Sequence, residues 1–482
     1  MSYSIQTALV PAPQSYETVD LQIRQDKIAA IGAHLPPADT VADTIIDTVI
    51  DGRDKLLLPG FVNAHTHSSE LWQRGLIPPL PLELWLAELY DFAPLDPEQI
   101  YLSALGTAVE TLLSGGTTVV DHLVLIPGRE AETIAAAVRA YREVGIRAYV
   151  APLVQDQPFG TGLPTLGTAQ ASHSPASASP EQVMSTEAVL DLLRDAVRQF
   201  HDPVAGINLV VAPTGIQLCS DALFEGCAAL SDQHGLCRHA HLLETKAQKI
   251  LAQEKYGGSA VAHLKRLGYL NQRSSLAHCV WLDDYDIEIL AETGATVVHN
   301  PLSNLRLGSG IAPLLKYRQA GVNIAFGCDG SASNDSQDLL EAIKIGSILH
   351  NTTDFEYRHW ITPREAVEMA ALGGATGLNA ADQIGSLTVG KQADLVLYDL
   401  RSLSLLPRTD PIGLLVLGRP TQAVHSVWVN GRQVVAQGEL CTIDVNQLRQ
   451  ELFERSAWQS PRQSAMRQSM EFRYRELMGL AI

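Results

Sequence analysis

Between about residue 58 and residue 385 the chain alternates short apolar runs with longer stretches whose apolar residues recur at helical spacing. The apolar runs fall at 56–62, 117–121, 147–153, 207–212, 236–241, 274–278, 295–299 and 322–328. They are too short for core helices and rich in β-branched residues, so they read as buried parallel strands. Helical periodicity fills 97–113, 130–144, 186–200, 220–234 and 283–293. Eight strands alternating with helices predict an α/β fold of the (β/α)8 TIM barrel type over 58–385. A doubly wound open sheet is the rival, but its first strand should end in a glycine-rich phosphate turn, and here that turn carries His65 and His67.

The two ends read differently. Strand patterns at 19–24 and 28–31 flank Gln25-Asp26-Lys27, alternation continues over 44–50, and the same vocabulary returns at 393–398, 424–429 and 433–435 around Asn430-Gly431. Neither end can close a core alone, which predicts a small discontinuous β-sandwich domain formed from both termini, 1–57 with 386–445. Residues 446–482 read as an amphipathic helical tail, whose Arg462, Arg467, Arg473 and Arg475 offset an acidic body or serve a subunit contact. Residues 160–180 carry Gly, Ser, Thr, Ala and Pro without an apolar face and read as a loop, either a surface insertion or a lid.

Composition narrows the function classes. A chain of 482 residues with 46% hydrophobic and 18% charged residues is an ordinary globular composition, and a formal charge of -18 argues against a nucleic acid partner. Six scattered cysteines, with no Cys-x-x-Cys, suit a reducing compartment. There is no basic leader followed by an apolar core and no apolar run long enough to span a bilayer, so a cytoplasmic protein without a membrane partner is expected.

The chemistry concentrates at strand ends. In Pro59-Gly60-Phe61-Val62-Asn63-Ala64-His65-Thr66-His67 the alternation of side chains along a strand puts both histidines on one face. Reading the other strand ends in order gives His122, His241, His278, His299 and Asp329. Imidazoles and a carboxylate converging on a barrel mouth are a natural shell for one zinc- or iron-type ion with a position left open for water. His239 shares the parity of His241; the latter is nearer the loop and three residues from Glu244, so His239 is read as a barrel-interior histidine. His122 and His299 are candidates for supporting or substrate contacts. His34, His173, His201, His234, His263, His350, His359 and His425 are read as surface residues.

These motifs resemble the amidohydrolase superfamily, in the branch of triazine hydrolases, S-adenosylhomocysteine deaminases and guanine and 8-oxoguanine deaminases. The resemblance rests on the first-strand motif together with His241-Leu242-Leu243-Glu244-Thr245, Ala277-His278-Cys279-Val280, His299-Asn300-Pro301-Leu302-Ser303-Asn304, Asp329-Gly330-Ser331-Ala332-Ser333-Asn334-Asp335 and the segment from Ile384 to Leu395. It implies that His65, His67, His241 and Asp329 hold the metal, that Glu244 is the proton shuttle, and that His278 assists the attacking water or holds the substrate. No lysine lies between Lys55 and Lys246, so the bridging carbamylated lysine of binuclear relatives has no source and a single ion is expected, zinc before iron. Such an ion brings the pKa of its water to about 7, for attack on a ring carbon.

The expected activity is hydrolytic deamination of an aminated purine, pterin, pyrimidine or triazine. Two variants share the machinery: displacement of chloride or alkylamine from a triazine-type ring, and S-adenosylhomocysteine or methylthioadenosine deamination. Glu70 stands where relatives that bind a ring carbonyl often have glutamine; an acceptor-only carboxylate there favours ring N–H donors. Thr214 stands near the place of a histidine in nucleoside-type members, which points away from a ribosyl substrate. Trp72, Trp85, Leu89, Tyr90 and Phe92 would wall a flat ring; His122, His299 and Asn304 complete the expected substrate contacts. A homodimer is the family-based expectation for assembly. A peptidase or cyclic-amide hydrolase is opposed by the missing lysine, and a catalytically dead relative by the complete ligand set.

Overall fold

The computed structural model describes residues 2–35, 47–165, 183–460 and 464–481. Its centre is a parallel barrel made of Phe61–Thr66, Gly116–Val124, Arg147–Val154, Ile207–Leu209 continued by Ala212–Pro213, Arg238–Leu242, Ser274–His278, Thr296–His299 and Ile324–Phe326. Neighbours pair in parallel within two arcs. One seam closes through a Val211–Arg238 bridge, the other through the Asp329 N–H donating to the His65 carbonyl (2.8 Å). The strands are buried on both faces because an inner layer (Val62, Val120, Val210, Val298, Ala325) and an outer helix layer each cover one side. Pro97–Leu113, Glu130–Val144, Thr186–Phe200, Asp221–His234 and Asp284–Thr293 stand where helical periodicity put them.

The run 56–62 is two strands. Lys55–Pro59 pairs antiparallel with Leu395–Asp399, and only Phe61–Thr66 enters the barrel. Gly60 makes the turn because a Cβ there would sit 2.2 Å from the Thr117 side chain. The terminal strands hydrogen bond as one nine-stranded sheet that encloses its own core, with Tyr3 edge-on to Trp428 at 5.8 Å. Its strand Ser2–Ala12 carries no signal that we read in the sequence, and 44–46 lie outside the described residues. The sheet is fastened to the barrel by Arg147 at the foot of the third barrel strand, whose guanidinium makes a two-pronged buried contact with Asp394 (3.0 and 2.9 Å).

The expected single tail helix is two, Val445–Arg455 and Ala465–Leu477, and the second packs on Leu82–Leu89. The expected 160–180 loop falls outside the described residues from 166 onward. Five cysteines are buried and Cys441 is exposed. Among the described residues no helix is long and apolar enough to cross a membrane.

Candidate active site

The strand-end residues meet at one mouth of the barrel. His65 and His67 come from the end of the first strand, His241 from the fifth, His278 closes the sixth and Asp329 follows the eighth. His278 (φ 72°) and Asp329 (φ 66°) sit in the left-handed region, which is costly for residues with a Cβ. The neighbouring strands hold them there: Asp329 donates its N–H to His65 O and Cys279 donates to Leu242 O (3.0 Å).

Hydrogen bonds fix the histidine tautomers. His67 Nδ1–H donates to the His122 carbonyl (2.6 Å) and His241 Nδ1–H to the Thr214 carbonyl (2.8 Å), so both keep a lone pair on Nε2. These two Nε2 atoms face each other at 3.2 Å, and with both Nδ1 protons committed neither carries a proton for the other. His65 Nδ1 meets His239 Nε2 at 2.7 Å, and His239 Nδ1 meets Ser275 Oγ at 2.7 Å. His65 Nε2 is buried without a partner and lies 3.3 Å from Asp329 Oδ1, which is also 3.5 Å from His67 Nε2. The Nε2 lone pairs of His65 and His67, both turned toward the Asp329 carboxylate, and that of His241, 3.2 Å from His67 Nε2, repel one another unless a cation lies among them, so the donor set fits a divalent metal ion. Burial, then neighbouring imidazoles, keeps His241 well below its ordinary pKa; His65 is likewise lowered by burial against the pull of Asp329. Burial opposes ionisation of Asp329, yet the facing His65 and His278 take its carboxyl well below the usual range.

Beside this group stand His278, Glu244 and Glu70. His278 Nδ1–H donates to Asn304 Oδ1 (2.8 Å), leaving Nε2 3.5 Å from Glu244 Oε2 and 3.6 Å from Asp329 Oδ2. Glu244 also accepts from Ser309 Oγ (3.0 Å), and burial pushes its carboxyl up to about 7. Among the described residues Glu70 accepts only the Ala332 N–H (3.2 Å), and burial raises it to about 7 as well. Gly330 permits this approach, since a Cβ on it would lie 1.8 Å from Glu70 Oε2.

A cavity of about 270 Å³ opens onto these groups. Glu70, Thr214, His241, Glu244, His278 and Asp329 line it, and so do Trp85, Leu89, Tyr90 and Phe92. Four expected substrate contacts lie elsewhere. Trp72 turns outward, its indole N–H donating to Gln99 O (3.1 Å) and its ring on the helix layer. His122 stacks on His241 at 4.7 Å, and one of its ring nitrogens lies within 4.8 Å of those of His65, His67 and His241, without lining the cavity. His299 faces His350 (3.2 Å between Nε2 atoms), and Asn304 orients His278 without lining the cavity. His350 and His263 are buried, in contrast to their surface reading: His263 stacks on Tyr256 at 3.7 Å and bonds Asp221. His173 lies outside the described residues. Ser69 and Gln73 were missed; both line the cavity with a buried oxygen that has no partner, and nothing in their spacing marks them.

A parallel barrel whose strand ends gather imidazoles, carboxylates and a buried glutamate of raised pKa defines a metal-dependent barrel hydrolase. The chain belongs to the amidohydrolase family: the model described as "Amidohydrolase family" matches residues 56–434. It is a hydrolase of carbon–nitrogen bonds. It is 32% identical over 444 residues to 5-methylthioadenosine/S-adenosylhomocysteine deaminase of Syntrophobacter fumaroxidans, covering 91% of this chain and 93% of that one. Among solved structures it is similar to an adenosine deaminase from Xanthomonas campestris with bound zinc, with TM-score 0.80, 29% identity, and 94% and 97% of the two chains covered. It is also similar to atrazine chlorohydrolase from Arthrobacter aurescens complexed with zinc, with TM-score 0.83, 26% identity, and 94% and 99% covered.

Proposed function

We propose that the protein hydrolytically removes ammonia from an aminated nitrogen heteroaromatic, with a 6-aminopurine as the foremost ring. Similarity to adenosine-type deaminases supports that ring, and the observation that carries the chemistry is the meeting of the His65 and His67 Nε2 lone pairs with Asp329, with His241 Nε2 3.2 Å from His67, beside a protonatable Glu244. His65, His67, His241 and Asp329 hold one zinc ion. When bound, that ion supplies Lewis acidity, bringing the pKa of a water to about 7.

The chain's own residues do the rest. Asp329 and His278, whose Nε2 stands 3.6 Å from the Asp329 carboxylate, orient the attacking water toward the ring carbon that bears the amine. Glu244, held near 7 by burial, gives its proton to the adjacent ring nitrogen, takes one from the attacking water, and passes that one to the amine, which leaves as ammonia. Glu70 accepts a ring N–H, and Trp85 lies along the cavity wall against the ring face. The protein works in the cytoplasm as a homodimer, and exposed Phe453 and Trp458 near the tail support a subunit contact.

The test is a panel of aminated purines, pterins, pyrimidines and triazines offered to zinc-loaded protein, scored for ammonia. Release from a 6-aminopurine is expected; no release from any ring overturns the reading. A second reading, displacement of chloride, is supported by the likeness to atrazine chlorohydrolase. Chloride release from a chlorotriazine without ammonia release from any amine would establish it instead.

A further inference from the structure

Besides the polar groups at its metal side, the cavity is a chamber also faced by Leu86, Leu89, Phe92, Leu125, Pro127 and Leu218. Its charged lining, among the described residues, consists of Glu70, Glu244 and Asp329, with no lysine or arginine. Two arginines of the tail helix are engaged elsewhere. Arg467 pairs with Glu88 (3.1 Å) and Arg473 donates to the Leu163 and Pro164 carbonyls (2.7 Å each). The Thr214 hydroxyl is committed to the Val154 carbonyl (3.0 Å), while Gln217 Oε1 is buried without a partner among the described residues.

We propose that the substrate's ring carries an uncharged, predominantly apolar substituent that fills this chamber, and that anionic substituents, including amino-acid tails, are discriminated against. The inference rests on the deaminase reading above and deepens it. The physical reason is twofold. Apolar surface taken from water into this wall is stabilised in proportion to its area. A carboxylate placed against this apolar wall would lose its hydration with no lysine or arginine among the described lining residues to pair with. Gln217 Oε1 can accept one N–H or O–H from a substituent that is mostly hydrocarbon.

Adenines carrying butyl, phenethyl or 3-carboxypropyl groups on N9 separate the cases. Zinc-loaded protein is assayed for ammonia release, and binding of each compound is measured by calorimetry. The butyl and phenethyl compounds are expected to exceed the carboxypropyl compound in kcat/KM by about thirtyfold or more, mainly through KM. Leu89→Arg, a half-buried wall position able to reach solvent, should narrow that ratio by about tenfold through a new partner for the carboxylate. A carboxypropyl compound turned over within about threefold of the butyl one, with affinities to match, overturns the inference while leaving deamination intact. If no compound releases ammonia, the deaminase reading fails, and the calorimetric order of the three ligands alone decides about the chamber.

Discussion

His239 touches neither cavity nor metal position, yet the structure makes it decide which nitrogen of His65 can bind a cation. His65 is fully buried, and among the described residues its Nδ1 meets only His239 Nε2 (2.7 Å). With His239 Nδ1–H directed to Ser275 Oγ (2.7 Å), His239 Nε2 is the acceptor, His65 Nδ1 carries the proton, and His65 Nε2 keeps its lone pair. In His239→Phe the Nδ1–H would be stranded in the interior at a cost of about 1–3 kcal/mol. The alternative tautomer puts the proton on Nε2, against Asp329, and removes a ligand. Zinc affinity should therefore fall by about 10- to 100-fold, equivalent to about 1.4–2.7 kcal/mol. His239→Gln, whose amide oxygen can replace the acceptor, should recover most of the loss. Chelator-competition titration reads the affinity directly, and thermal melting of the metal-free proteins separates it from misfolding. A His239→Phe protein binding zinc within about twofold of wild type would refute the tautomer argument, as would equal losses in both variants.

Other consequences follow from the same contacts. Glu244→Gln should retain zinc and lose about a hundredfold or more in kcat, read by ammonia release; a loss confined to KM would remove Glu244 from proton transfer. The same variant carries a pH signature in the metal-free protein. The Glu244 carboxyl rises from 4.5 unfolded to about 7 folded, so its stabilising contribution is full below 4.5 and is lost as pH rises through 7. Urea unfolding at pH 5 and pH 8 should show wild-type stability falling by on the order of 3 kcal/mol more than that of Glu244→Gln, and parallel slopes would contradict it. Asp394→Ala leaves the buried Arg147 guanidinium without its partner and should cost about 3–5 kcal/mol in the same unfolding assay; a change under about 1 kcal/mol would mean that the sheet is not fastened there. Arg467→Ala should raise KM several-fold with metal content unchanged, because Glu88 on the wall helix loses its partner; a lower melting temperature with unaltered KM would unlink tail from wall.

What could be read from sequence divides along physical lines. Strand parity and strand-end position are local properties, so His65, His67, His241, His278 and Asp329 were legible before any contact was known. The tautomers were not, because the acceptors that fix them, the carbonyls of His122 and Thr214 and the ring of His239, come from other strands. The direction of a side chain on a turn is likewise a tertiary matter. Trp72 and Trp85 look alike in sequence, but the first is held outward by Gln99 O while the second lines the cavity and donates to Ala332 O (3.3 Å). Gly60 divides one apolar run between two sheets because of Thr117, more than fifty residues away in the chain. His350 looked like a surface residue because its partner His299 lies across the barrel loops.

The wall helix Leu82–Leu89 joins the two halves of the proposed activity. On one side Glu83 accepts from Thr245 Oγ1 (2.5 Å), the residue next to Glu244; on the other Glu88 receives the Ser464 N–H (3.1 Å) and Arg467 from the tail. Leu82, Trp85, Leu86 and Leu89 of the same helix face the cavity. A substituent pressing on that apolar face therefore bears on an element bonded directly beside Glu244. Since a small misplacement of a catalytic group is costly in rate, Thr245→Val should lower kcat although Thr245 itself does not line the cavity. The loss should be larger for phenethyl than for butyl adenine, because the bulkier group loads the unbraced helix more. Equal losses for both compounds, or none, would show that the wall and Glu244 are positioned independently.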